Sequence, residues 1–361
     1  MKTKLFFGLF LIVCSLRAQE PVRAFWLTNV VSDAMFTAEG LDEVIEDCET
    51  YAFNTIYVVG WNRGYTQYQS ALMGKTFGTP VDPQFENFDP IQYLIDHARP
   101  KGIRVILWFE FGFSYRYQDE GNPALEARRP EWIALNKEGN PAEKNGFYWW
   151  NALDTEVQDF LIDLIAEAVI KYEIDGIQGD DRLPAMPTLA GYNEQNLQRF
   201  EAAHSYVPIE DKDSTWVQWR ANQLTHFLGR LYQKVKTLNP ALTVSLSPSI
   251  YPWSQNEYLQ DWPAWVKHGW VDELLPQVYR YDFDNYQKTL QNNVLHFLTE
   301  QQQERLFPGI LLRVGDYYAE PELLRQCIEL NRSLGIDGES FFYYEGIEKR
   351  KEFFKKYAQR Y

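Results

Sequence analysis

Short runs of β-branched and aromatic residues alternate with amphipathic stretches eight times along the chain. The runs fall at residues 23–28, 54–59, 103–109, 174–180, 242–246, 271–279, 307–312 and 336–343. Between them apolar residues recur three and four positions apart, most cleanly as Val157, Phe160, Leu161, Leu164, Ile165, Ala168, Val169 and Tyr172. That spacing puts one apolar stripe on a helix. A nearly unbroken apolar run such as Val105 to Phe109 fits a strand covered on both faces. Eight such units predict an α/β protein built as a (β/α)8 TIM barrel.

The connections are unequal in length. Helix-to-strand turns are tight, at 51–53, 99–102, 173, 237–241 and 334–335, whereas strand-to-helix loops run long at 60–88, 110–152, 181–213 and 247–257. In a barrel the strand-to-helix loops all emerge at the C-terminal face, the face that carries active sites. Aromatic residues make up 16% of the chain, and many sit in these loops, among them Trp61, Trp149, Trp150, Tyr251 and Trp253. Their flat apolar faces and polar edges suit sugar rings. The competing role is a second core that holds long loops down.

The fourth run ends in charge, as Ile174-Asp-Gly-Ile-Gln-Gly-Asp-Asp-Arg182. Alternation along a strand puts Gly176, Gln178 and Asp180 on one face and Ile177, Gly179 and Asp181 on the other, so Asp180 is expected to reach a shared pocket. A one-residue bulge would bring Asp181 there instead. The third run ends in Glu110, beside that position. Two carboxylates at neighbouring strand ends match the pair that glycoside hydrolysis needs, one to protonate the leaving oxygen and one to attack or activate water. Glu110 is assigned as acid, with Trp108 and Phe109 desolvating it. Asp180 is nucleophile or base, and Arg182 keeps a carboxylate charged. Asn29, the Trp61-Asn62-Arg63-Gly64 turn, Ser247, Gln277, Tyr279, Arg313, Tyr344 and Glu345 supply polar groups at other strand ends. Asp175 and Asp337 fall at strand beginnings and are read as structural.

Composition narrows the partners. Lys2 and Lys4, an apolar core from Leu5 to Leu16, and Ala18 predict a secretory signal peptide at 1–18, with a single barrel domain over 19–361 and no stable membrane insertion after cleavage. Cys14 follows Val13 rather than a small residue, which weighs against lipid anchoring. Losing Lys2, Lys4 and Arg17 moves the formal charge from −15 to −18, a poor surface for nucleic acid. Acidic polymers are also disfavoured unless local arginines override the average. Cys48 and Cys327 lie on apolar helix faces as free thiols. The five histidines fall mostly in helical patterns, so no metal and no cofactor is expected.

The segments Arg23-Ala-Phe-Trp-Leu-Thr-Asn29, Phe53-Asn-Thr-Ile-Tyr57, Trp61-Asn-Arg-Gly64, Gly102-Ile-Arg-Val-Ile-Leu-Trp-Phe-Glu110 and Asp175-Gly-Ile-Gln-Gly-Asp-Asp-Arg182 resemble the glycosyl hydrolase-like 10 family. The resemblance spans nearly all of the chain after residue 18. It implies a periplasmic or secreted glycosidase, with peptide-free peptidoglycan strands as a substrate class, and Glu110, Asp180 and Asp181 at the matching strand ends. Relatives often carry an aromatic or apolar residue where this chain has Gly179, which is expected to widen the pocket. Two alternatives stand beside this reading: a non-catalytic carbohydrate-binding barrel, and a glycosidase acting on imported polysaccharide.

Overall fold

A computed structural model describes residues 21–360. The signal-peptide and Cys14 readings fall on residues 1–18 and lie outside the described residues. Eight parallel strands form one sheet: β1 (Arg23–Leu27), β2 (Thr55–Val59), β3 (Arg104–Trp108), β4 (Gly176–Gly179), β5 (Thr243–Leu246), β6 (Glu273–Leu274), β7 (Gly309–Leu311) and β8 (Glu339–Phe342). Their spatial order is β6-β5-β4-β3-β2-β1-β8-β7. The two ends of that order approach each other through parallel bridges at Leu274/Leu306 and Gln277/Gly309.

A helix follows each strand: α1 (Ala38–Tyr51), α2 (Pro90–Ala98), α3 (Thr155–Lys171), α4 (Ser214–Leu238), α5 (Trp262–Lys267), α6 (Phe283–Asn293), α7 (Pro321–Ser333) and α8 (Lys351–Ala358). Four of them start at an aspartate whose carboxylate accepts an otherwise orphaned backbone N–H: Asp89 from Gln92, Asp154 from Glu156, Asp213 from Trp216 and Asp282 from Asn285. Each is the last residue of a strand-to-helix loop, so the loop's end point is fixed by the cap. The predicted stripe of α3 is buried from Val157 to Ala168, with Val169 packed at its edge.

At the opposite end of the strands the acids are structural. Asp175 accepts the Val105 N–H at 2.8 Å, tying the entry of β4 to β3. Glu273 is fully buried and accepts both Arg104 nitrogens, at 2.8 and 2.7 Å, and the Tyr57 hydroxyl at 3.0 Å. Cys48 and Cys327 are free and buried, as their helix faces predict.

One predicted strand is cut short. The run at 271–279 forms only Glu273–Leu274, because Pro276 brings no N–H to the ladder. Its carbonyl still accepts the Gly309 N–H at 2.9 Å, and the chain continues toward Gln277 and Tyr279 as an irregular strand end.

The loop after β4 is clamped from beneath by Arg220 of α4. This fully buried guanidinium donates to the carbonyls of Thr188, Ala190 and Asp211 at 2.6, 2.5 and 2.8 Å, and lies 4.4 Å over the Trp216 ring. Its hydrogen-bond partners are carbonyls, so removing it strands acceptors rather than relieving a buried ion pair. Arg220→Met is therefore expected to lower stability by roughly 2–4 kcal/mol. Denaturant unfolding checks this, and an unchanged midpoint would mean that the loop holds its shape without the clamp.

Candidate active site

Register sets two strand ends side by side. Gln178 of β4 pairs with Trp108 of β3, and the Gln178 carbonyl accepts the Phe109 N–H at 2.9 Å. Two residues further, Asp180 stands beside Glu110. The turn that follows is seated on two glycines. A Cβ at Gly179 would lie 2.2 Å from the Leu183 carbonyl oxygen, and one at Gly112 would lie 2.1 Å from that of Arg182. The expectation that Gly179 widens the pocket is corrected: the space beside it is filled by the chain's own backbone, and Gly179 is there to admit the turn.

That turn aims Arg182 back across both strand ends. Its Nε donates to the Glu110 carbonyl at 2.8 Å, and its Nη2 lies 3.4 Å from Glu110 Oε1 and 3.2 Å from Asp180 Oδ2. Nη1 lies 3.1 Å from Asp181 Oδ1. Because one nitrogen touches both Glu110 and Asp180, those two oxygens are at most about 6.6 Å apart. The Phe147 and Phe111 rings lie 4.9 and 5.4 Å from the guanidinium, giving it a cation–π cover.

Asp180 is 3% exposed. Its Oδ1 accepts the Arg182 N–H at 2.9 Å and its Oδ2 the Trp108 indole N–H at 3.1 Å. Burial pushes its carboxyl well above the usual range, against the pull of Arg182 and with a further push from Asp181 and Glu110. Burial also raises Glu110, opposed by Arg182 and by Asn62, whose amide donates to Oε2. Trp108 lines the same cavity as Glu110, and its indole N–H donates to Asp180. Asp181 is more open, its side chain 30% exposed.

These acids border a cavity of about 230 Å³, lined also by Arg182, Trp108, Trp26, Ser247, Gln277, Tyr279 and Phe342. The floor is a polar chain: Trp26 Nε1 donates to Gln178 Oε1 at 2.7 Å, and Gln178 Nε2 to Ser245 Oγ at 2.9 Å. Beneath the turn, Gln260 Nε2 donates to the Asp180 carbonyl at 2.8 Å.

Of the expected binding residues, Arg182, Gln277 and Tyr279 line the cavity. Asn62 touches it through Glu110. Asn29 lies half-buried, donating to Gln67 at 3.3 Å. Arg63 turns outward to Glu120 at 2.7 Å. Trp61, Trp149 and Trp150 are corrected: all three are buried and present no surface to a ligand. Trp61 donates to the Gly112 carbonyl at 3.0 Å, Trp149 packs against Tyr258, and Trp150 packs among Trp61, Phe77, Tyr115 and Trp132. Tyr251 packs on Phe297 and Trp262. Trp253 is 47% exposed, over Tyr258. Sequence reasoning missed Trp26, Phe342 and Gln260. The first two sit near the C-terminal ends of inward-facing strand positions, a signal that alternation within β1 and β8 contains.

Carboxyls with raised pKa, an arginine and aromatic walls in a cavity at the C-terminal ends of a parallel sheet are equipped to protonate a leaving oxygen and stabilise a developing cation, the chemistry of glycoside hydrolases. The chain belongs to the Glycosyl hydrolase-like 10 family, which it matches over residues 21–310. It is 20% identical over 302 residues to Glycosyl hydrolase DigH of Escherichia coli K12, covering 75% of this chain and 65% of that protein. It is 21% identical over 364 residues to Glycosyl hydrolase YngK of Bacillus subtilis, covering 89% and 67%. The chain thus spans about two thirds of the length of these relatives. In fold it is similar to the glycoside hydrolase domain of PgaB (BpsB) from Bordetella bronchiseptica, with a TM-score of 0.69, 14% identity and coverage of 92% of this chain and 97% of that one.

The raised carboxyl of Asp180 carries a stability consequence. A carboxyl whose pKa is higher folded than unfolded binds more protons in the native state, so stability falls as pH rises from the unfolded pKa toward the folded one. Asp180→Asn cannot ionise; its oxygen still accepts from Trp108 and the Arg182 side chain, while its NH2 takes the place of the oxygen that accepts the Arg182 backbone N–H. It is expected to melt higher than wild type at pH 7, with the difference closing as pH falls below about 4, the ordinary aspartate value. Thermal unfolding across that range decides; a variant that melts lower at pH 7 would show that the ion pair with Arg182 outweighs burial.

Proposed function

We propose that this protein is a glycoside hydrolase that cuts a cell-envelope glycan, with peptide-free peptidoglycan strands as its substrate. The observation that carries the reading is that Glu110 and Asp180, from adjacent strand ends, meet one Arg182 nitrogen at the edge of a single cavity. Family membership and glycoside hydrolase relatives support the reaction class. The bridges between β6 and the β7 segment support closure of the sheet into a (β/α)8 barrel. The lysine-led apolar segment at residues 2–16 supports a periplasmic or secreted location.

Glu110, whose carboxyl burial raises, donates to the leaving glycosidic oxygen. Asp180 opposes it as nucleophile in the ionised form, which Arg182 favours against burial, with Asp181 as the more open member of the pair. The ceiling of about 6.6 Å on the Glu110–Asp180 oxygen distance accommodates the roughly 5–5.5 Å of retaining enzymes and barely reaches the shortest inverting separations, about 6.5 Å. The reaction is therefore written as retaining: Asp180 attacks the anomeric carbon as Glu110 protonates the departing oxygen, and Glu110 then deprotonates the water that releases the sugar. A second reading, a sugar-binding barrel without turnover, is favoured by one observation: Arg182 already engages all three carboxylates.

Release of new reducing ends separates the two. Glu110→Gln and Asp180→Asn are each expected to lower turnover of peptide-free glycan by roughly 10²–10⁴-fold while glycan binding persists. Added azide is expected to restore cleavage to Asp180→Ala by replacing the missing nucleophile, read as a glycosyl azide product rather than as a reducing end. Rescue of Asp181→Ala instead would move the nucleophile to Asp181. Binding without cleavage by the wild-type protein would establish the second reading.

A further inference from the structure

Arg313 lacks the carboxylate partner that Arg63, Arg116 and Arg182 have. Arg63 is matched by Glu120 at 2.7 Å, Arg116 by Glu126 at 2.8 Å, and Arg182 by the site's own acids. Arg313 faces rings, 5.2 Å from Tyr318 and 5.5 Å from Tyr343, and its Nε donates to the Gly315 carbonyl at 3.4 Å. Among the described residues no carboxylate lies within ion-pair distance of its guanidinium.

Its place in the fold ties it to the cavity. Arg313 follows β7 by two residues, and the last residue of β7, Leu311, pairs in register with the cavity-lining Phe342. Tyr279, also in the cavity wall, stacks on Phe342 at 4.9 Å. Two residues on, Tyr281 is 63% exposed and meets Tyr317 edge-on at 4.8 Å. Tyr317 lies on the hairpin strand that pairs with Arg313–Val314. Aromatic rings therefore step outward from the cavity to the Arg313 hairpin.

The nearby carboxyl does not cancel this charge. Both oxygens of Glu345 are buried without a hydrogen-bond partner. Burial pushes Glu345 up to about 8, over the opposing pull of its own backbone N–H and Arg313, with Asp33 adding to the rise. Near neutral pH it mostly holds its proton. Arg313 thus carries a guanidinium with no carboxylate in ion-pair range on a protein of formal charge −15.

We propose that the Arg313 hairpin, with Tyr281 and Tyr317, forms an outer subsite that binds a carboxylate-bearing sugar of the glycan. This rests on the reading of the cavity as the glycan site. The guanidinium takes the carboxylate through paired N–H donors while the exposed rings pack on the sugar faces. In peptidoglycan, loss of the peptide leaves a free lactyl carboxylate on each muramic acid, so this subsite distinguishes stripped strands from peptide-bearing ones. A uronic acid presents the same chemistry.

The test compares peptide-free peptidoglycan glycan with the same material after amidation of its carboxylates, reading binding and reducing-end release separately. Wild type is expected to bind the amidated glycan roughly 10-fold or more weakly. Arg313→Gln should bind both forms alike at the weaker level, with unchanged thermal unfolding, and Arg313→Lys should keep part of the preference. Equal binding of the two glycans by wild type, or binding of neither, overturns the subsite. Competition by an oligouronate assigns it to sugar carboxylates in general; failure to compete assigns it to the lactyl group. Preferential binding of the native glycan with no cleavage would remove the glycosidase reading and leave the subsite standing.

Discussion

Arg182 brings one guanidinium within 3.1 to 3.4 Å of carboxylate oxygens from Glu110, Asp180 and Asp181, and the local structure follows from that arrangement. For Glu110 and Asp180, burial penalises the charged form and the guanidinium opposes that penalty. Removing the cation would leave three acceptors facing each other. Placing it requires the backbone of residues 182–183 to pass within van der Waals contact of β4 and the β3 loop, which only Gly179 and Gly112 permit. The two glycines, the turn and the arginine thus form one device, and the acids take their protonation behaviour from it.

The walls around this device rest on a second core. Trp150 lies among Trp61, Phe77, Tyr115, Trp132 and Phe160, with ring centroids between 5.6 and 6.2 Å. These rings come from the loops after β2 and β3 and from α3, so their burial couples long insertions to the helical layer. Aromatic side chains bury large areas and gain further from edge-to-face packing. Rigid loops hold Asn62 against Glu110 and Phe147 against Arg182. Positioning of the acid therefore depends on apolar packing one layer away from it.

The periodic parts of this organisation were legible in the residues. Seven of the eight predicted runs appear as strands within a residue or a few of their expected ends, since burial on both faces leaves a continuous apolar signature. The run at 271–279 was legible only in part, because Pro276 breaks the ladder while the apolar pattern continues through it. The Glu110–Asp180 neighbourhood was readable because strand order and alternation fix it. Which aromatics stay exposed and which face other rings was not readable: Trp61, Trp150 and Trp253 share the same kind of loop context, and long-range packing alone separates two buried rings from one exposed ring. Gly179 illustrates the same limit. A missing side chain looks like open space until the Leu183 carbonyl is seen to occupy it.

The position of charge across the C-terminal face has a common physical origin. Where the chain buries acids beside an arginine, at Glu110 and Asp180, burial raises the carboxyls and the arginine opposes it. Where it buries Glu345 without a hydrogen-bonded partner, burial dominates and the carboxyl reaches about 8. The first keeps a cation within reach of the acids. The second removes a negative charge from the rim and leaves Arg313 exposed electrostatically. One variable, how much cation sits within hydrogen-bonding reach of a desolvated carboxyl, thus separates the two arrangements on this face.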